Sequence, residues 1–170
     1  NMYALDPESI PSAPALEVAR TIADQIIAEH RRKHGAPPRK VAINLNGFET
    51  MRDTGVTEGQ VLALVGAEPV RDDRGRVTDV TLIPRAALGR PRVDVVLAIS
   101  GAYRDNFATR IKLLDKAIRL AQEAPEPDNV LAEDNRTAAA ELVAKGMDAD
   151  KAARLARMLI FGSPPGQYGT

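Results

Sequence analysis

Residues 92–99, Arg-Val-Asp-Val-Val-Leu-Ala-Ile, limit the possible folds more than any other stretch of this chain. A near-continuous run of Val, Leu and Ile suits a strand covered on both faces, the usual state of a strand in a parallel sheet. Ser100-Gly101 ends the run, and Tyr103-Arg104-Asp105 follow at once. From about residue 105 to residue 123, Phe107, Ile111, Leu114, Ile118 and Ala121 recur at helical spacing. A buried strand followed by an amphipathic helix is the repeating unit of an α/β layer.

The rest of the chain extends that reading. Ser12 and Pro14 suit the start of a helix and Gly35 its end, with Ala19, Ile22, Ala23, Ile26 and Ile27 on one face. Pro37-Pro38 lead into a short strand over residues 40–45. Residues 47–55 read as a polar loop, and Thr57-Glu58-Gly59-Gln60 as a capping box opening a short helix closed by Gly66. Residues 68–71 and 76–83 are strand-like around a turn at Asp72-Asp73-Arg74-Gly75. Past Pro125 and Pro127, residues 136–145 and 150–159 are Ala-rich helical patterns, separated by Gly146 and an Asp148 cap. Residues 162–169 read as a loop. The expected fold is α/β: a Rossmann-like layered sheet, mostly parallel with about four strands, flanking helices and a C-terminal helical hairpin. Residues 1–124 form the α/β domain and 125–170 its helical extension.

Charge and composition exclude several functions. The 23 basic and 23 acidic side chains cancel, so no basic field draws nucleic acid or an anionic membrane. No apolar run approaches the roughly 20 residues that span a bilayer, and no signal-peptide pattern is present; a cytoplasmic location is expected. With no cysteine, disulfides and thiolate chemistry are excluded within the chain. There is no Walker A or Gly-x-Gly-x-x-Gly pattern.

In open α/β sheets, ligands bind outside the carboxyl ends of the strands. Two segments leave predicted strands there: one carries Glu49, Arg52 and Asp53, the other Ser100, Arg104 and Asp105. Each group has a structural alternative, as a solvated loop charge or, for Asp105, a helix cap. Asp94 interrupts an apolar run, and a buried carboxylate needs a partner, expected to be Arg92 or Arg104. His30 and His34 stand four apart, a metal-ligand spacing, but they also occupy a last helical turn, where cations suit the helix dipole. No third ligand is implied, and no metal site is assigned.

Gly89-Arg-Pro-Arg-Val-Asp94, Ser100-Gly-x-Tyr-Arg-Asp105 and Leu113-Leu114-Asp115 together resemble the large subunit of the cobaltochelatase and magnesium chelatase family. Asn1-Met2-Tyr3-Ala4-Leu5-Asp6-Pro7 with Ile10-Pro11 resembles an earlier segment of that family. Phe161-Gly162-Ser163-Pro164-Pro165-Gly166-Gln167-Tyr168-Gly169 resembles a later one in its cobaltochelatase version, and Glu49-Thr50-Met51-Arg52-Asp53 has the same flavour. The matches keep their order across the chain.

The resemblance implies an internal fragment of a longer, tetrapyrrole-binding subunit of an ATP-dependent chelatase. The cobalt branch is favoured: Co2+ inserted into a corrinoid precursor in cobalamin biosynthesis, with ATP and Mg2+ used by partner ATPase subunits. Metal insertion must remove protons from two pyrrole nitrogens, work for carboxylates or imidazoles. Glu49, Asp53 and Asp105 are the nominated catalytic groups, with His30 a weaker candidate; Arg52, Ser100 and Arg104 are nominated for substrate binding. The family commonly places an acidic residue before Leu-Gly-Arg-Pro, where this chain has Ala87, and its Arg-Lys-His is absent around residues 129–134. Magnesium chelatase and a non-catalytic scaffold or small-anion-binding domain are the alternatives.

Overall fold

The computed structural model describes residues 5–164. The motif residues Asn1-Met2-Tyr3-Ala4 and Pro165-Gly166-Gln167-Tyr168-Gly169 lie outside them.

A 3-10 turn at Pro7–Ser9 precedes α1 (Ala13–His34), which is capped by the Ser12 hydroxyl and closed by Gly35 in the left-handed region, as the sequence predicts. Then follow β1 (Lys40–Leu45), α2 (Gly47–Asp53), α3 (Val56–Val65) and the strands β2 (Ala67–Arg71) and β3 (Val77–Leu82). A single turn, α4 (Arg85–Leu88), leads to β4 (Asp94–Ile99), α5 (Gly101–Asn106) and α6 (Ala108–Glu123). The hairpin α7 (Val130–Ala144) and α8 (Ala149–Ala156) precedes β5 (Ile160–Gly162). Asp148 caps α8 as expected.

The strands form two sheets. β1, β4 and β5 are parallel in the order β1-β4-β5, while β2 and β3 pair antiparallel by themselves. The expected α/β fold with a parallel sheet is present, but the strands at 68–71 and 76–83 stand apart from it. A tight turn at residues 72–75 returns the chain antiparallel, whereas a parallel partner needs a long crossover. The third parallel strand, β5, falls partly in the segment read as a C-terminal loop; three residues are too few to show a period.

Three other expectations change. Residues 47–53 are helical rather than a polar loop, because Asn46 accepts from the Phe48 amide at 2.9 Å and caps α2. No Thr57 capping box forms: Asp53 Oδ1 accepts from the Gly55 and Val56 amides at 2.9 and 3.1 Å, so α3 starts earlier and Glu58 turns into the core. The helix after β4 is two helices broken at Phe107, and Ser100 caps the first, so Asp105 lies in its last turn instead of capping it.

α3 is the centre of the core. Gly59 and residues 61–65 are buried, and α1, α6, β1, β2 and β4 pack around the helix. A helix buried on all sides ends without water to meet its last carbonyls. Two arginines from the Gly-Arg-Pro-Arg stretch supply the donors. Arg90 donates to Ala63 O at 2.5 Å and to Leu64 O at 3.3 Å. Arg92 donates to Val65 O and Gly66 O at 3.1 and 2.7 Å, reaches Ile83 O at 2.8 Å, and pairs with the Glu126 carboxylate at 2.7 Å.

Asp94 is fully buried, as expected, but its partner is Lys40, with Nζ 2.8 Å from Oδ2. Register decides this: Lys40 lies directly across from Asp94 in the β1–β4 pairing, while Arg92 turns away to α3. Burial pushes the Asp94 carboxyl above its usual range, against the pull of Lys40.

A second buried acid fastens α2 to α3. Glu58 Oε1 lies 2.8 Å from the Thr50 hydroxyl, which also lies 3.1 Å from Asn46 O. The Thr50 hydroxyl faces both acceptors and donates to the Glu58 carboxyl group and to Asn46 O. Burial pushes the Glu58 carboxyl above its usual range, against the pull of the Thr50 hydrogen bond. The buried Tyr103 hydroxyl interacts with this carboxyl group without reaching hydrogen-bond geometry.

Two outcomes are predicted. Arg92→Met leaves Glu126 and three carbonyls without their donor and destabilises the protein by about 3–5 kcal/mol, whereas Asp94→Asn costs about 1 kcal/mol or less because Lys40 is part-exposed. Urea titrations giving the reverse order would contradict these assignments. Because folding raises the Glu58 pKa, its contribution is complete below the ordinary glutamic acid value and is lost as pH rises through the folded value. Glu58→Gln removes that loss, so its melting temperature gains on wild type as pH rises above the ordinary glutamic acid value; parallel curves would refute the upward shift.

Candidate functional site

The carboxyl ends of β1, β4 and β5 lie side by side, since Leu45 is in register with Ile99 and Ile99 with Gly162. The chain leaves β1 into α2 and β4 into α5, so the two nominated segments converge on one edge. Ser100 joins them: its Oγ accepts from the Tyr103 amide at 3.2 Å and from the Gly47 amide at 3.4 Å. Gly47 is what allows this approach, because a Cβ there would stand 3.0 Å from the Ala102 carbonyl carbon and the Tyr103 nitrogen.

On α2, Glu49 and Arg52 form an ion pair one turn apart and both are exposed. Phe48 and Met51 are exposed beside them, Phe48 to 71%. An aromatic side chain left so open, next to an ion pair at a strand edge, gives α2 an apolar and a charged component on one short helix. Asp53 ends α2 with one carboxylate oxygen committed to the start of α3.

Arg104 and Asp105 face the third strand. Arg104 Nη1 donates to Ser163 O at 2.6 Å and to Pro164 O at 2.9 Å, and its Nε pairs with Asp105 at 2.8 Å. Sequence reasoning placed Arg104 at this edge but missed its hold on the chain leaving β5, for β5 itself carried no readable signal. His30 and His34 lie far along the chain from this edge, at the end of α1. Their rings are 4.4 Å apart, and His30 Nδ1 is 2.8 Å from Ala36 O. Among the described residues, no three His, Asp or Glu side chains are grouped as a metal site, and no helix is long and apolar enough to cross a membrane.

The edge thus offers carboxylates at Glu49 and Asp105, guanidinium groups at Arg52 and Arg104, and an apolar surface at Phe48 and Met51. Carboxylates can accept protons or touch a cation, and guanidinium groups bind carboxylates.

Comparison with known proteins matches this chain from end to end. A family model described as CobN/Magnesium Chelatase covers residues 1–170. The aerobic cobaltochelatase subunit CobN of Sinorhizobium sp is 40% identical over 171 residues, 99% of this chain and 13% of that protein. The chloroplastic magnesium-chelatase subunit ChlH of Oryza sativa subsp. japonica is 37% identical over 131 residues, 76% of this chain and 9% of its own length. The solved catalytic subunit of cobaltochelatase from Mycobacterium tuberculosis superposes with a TM-score of 0.88 at 39% identity, over 98% of this chain and 14% of that one. The chain therefore spans only about a seventh of the relatives it matches most fully. With the family model and relatives of this identity covering nearly all of it, this chain belongs to the CobN/magnesium chelatase family.

Proposed function

We propose that the chain is a segment of the large, tetrapyrrole-binding subunit of an ATP-dependent cobaltochelatase, which inserts Co2+ as substrate into a corrinoid precursor in cobalamin biosynthesis. The observation that carries this reading is the match over almost the whole chain to cobaltochelatase subunits at 39–40% identity. The ATP and Mg2+ would be used by partner ATPase subunits, and residues 1–170 themselves hold no phosphate-binding loop. Magnesium insertion is the nearest alternative, since ChlH reaches 37% over a shorter span.

In this reading the carboxyl edge meets the tetrapyrrole. Phe48 and Met51 offer the apolar contact that a macrocycle face needs, and Arg52 and Arg104 face its carboxylate side chains. Ser100 holds α2 and α5 together and so sets their spacing. Glu49, Asp53 and Asp105 are the groups that would exchange their present partners to take pyrrole protons or to touch the incoming cation in passing. A scaffold role is favoured by a different observation. Asp53 already caps α3, Glu49 already pairs with Arg52, and Arg104 already grips Ser163 and Pro164.

Tetrapyrrole absorbance titration of the full subunit separates the two. Arg52→Gln and Arg104→Lys should each weaken binding by about tenfold or more, the loss of one charge-assisted hydrogen bond, with circular dichroism unchanged. Normal binding and turnover in both variants would leave the scaffold reading standing. Residues 1–170 purified alone should neither insert metal nor hydrolyse ATP; measurable insertion would show a complete site within this segment.

A further inference from the structure

The two faces of the parallel sheet are unequally covered. Side chains alternate along a strand, and partners in register share a face. Leu45, Val95 and Leu97 therefore lie on one face, and all three are buried under the core. Ala42, Asn44, Val96, Ala98 and Phe161 lie on the other. There Ala42, Asn44 and Ala98 are exposed, Val96 is half-buried, and Phe161 is 54% exposed. Among the described residues, the α7–α8 hairpin reaches this side, where Leu155 and Met158 line a groove with Val96 and Phe161. Met158 is itself 53% exposed.

Parallel sheets occur almost only with both faces covered. Topology explains why the described elements leave one bare. In the order β1-β4-β5 every step runs the same way across the sheet. Right-handed crossovers of this kind favour one face for α3 and α6. Accordingly α3 packs on β1 and β4, and α6 packs on α3. Within the β4–β5 connection the α7–α8 hairpin reaches the opposite face, and a further helix there can come from a connection through the free edge of β1. Among the described residues no strand pairs with that edge. The CobN relative has about seven-eighths of its polypeptide outside the matched region, ample chain to supply such a connection.

We propose that the Ala42–Val96–Ala98–Phe161 face is a docking surface for a helix from the part of the same subunit that lies outside residues 1–170. The short side chains of Ala42 and Ala98 let the helix backbone come close, and Phe161, Met158 and Leu155 flank it with apolar surface. The polar groups around the groove, Lys40, Asp134, Glu141 and Lys145, carry both signs and suit a helix with an apolar stripe and charged flanks. This inference rests on family membership and fold, not on which metal or tetrapyrrole is used.

The test is hydroxyl-radical footprinting of the full-length wild-type subunit, alone and at high dilution, read at Met158 and Phe161. Both should be oxidised about tenfold or more slowly than in the urea-unfolded subunit, as for side chains freed only by local opening. A second arm uses Ala98→Cys and maleimide, read on the peptide that contains residue 98; the thiol should stay unreactive until unfolding. If this variant fails to fold, the wild-type footprint decides alone. Oxidation at the unfolded rate overturns the proposal. So does protection that disappears on dilution, which indicates a second copy. Protection that needs the ATPase subunits assigns the face to a partner, and protection that needs tetrapyrrole assigns it to substrate; either overturns the proposal.

Discussion

Everything in this structure depends on how α3 ends. A helix sheathed by apolar neighbours on every side gains its stability from burial, yet that same burial strips water from its last carbonyls, and unmet carbonyls are costly. Arg92 resolves the conflict with one planar group, because five N–H donors in a fixed fork can meet several carbonyls and a carboxylate together. In doing so it joins four places that are distant in sequence: the end of α3, the chain after β3, the approach to β4 and the Glu126 segment after α6. Gly66 belongs to the same arrangement. At φ +74° it turns the chain out of α3, and a Cβ there would stand 2.5 Å from Arg92 Nη1. The position and direction of β4, and with them the carboxyl edge, follow from this junction.

Electrostatics elsewhere repeats the device. Arg110, almost fully buried, donates to Ile10 O at 3.0 Å and to Val77 O at 3.1 Å, tying the chain before α1 to the antiparallel hairpin and α6. Arg71 reaches Pro11 O at 2.6 Å from β2. These contacts place a few of the 23 cationic side chains, Arg92 and Arg110 above all, inside the protein on main-chain oxygens, where they organise topology instead of adding to a surface field.

The sequence was legible where a period or a cap spoke for itself. The buried strand at 94–99, the apolar stripes of α1 and α6, the Ser12 and Asp148 caps and the turn before β3 all follow from spacing and turn chemistry. What stayed hidden was decided at long range. β5 is three residues long and exists because β4 offers it an edge. α2 lies in a stretch that reads as a polar loop, yet it is held by Asn46 at its start and by Thr50–Glu58. Asp94 announced that it needed a cation, but only strand register could name Lys40. At the candidate site, position on the sheet edge was readable for all six nominated residues. Their present partners were not, because Asp53 serves the next helix and Arg104 serves a strand absent from the sequence reading.

The hold of Arg104 on Ser163 and Pro164 has a consequence for how this protein can change. Its partners are carbonyl oxygens, which every residue possesses, so the bonds ask nothing of the side chains at 163 and 164. The same is true where Arg92 meets Val65, Gly66 and Ile83. Constraint is therefore one-sided. Random substitution should be punished at the arginines and largely forgiven at the side chains opposite them, with Gly66 excepted for its backbone angle. A pair of this kind leaves no matched changes behind, and a contact that carries much of the architecture would be invisible to any method that searches for residues varying together.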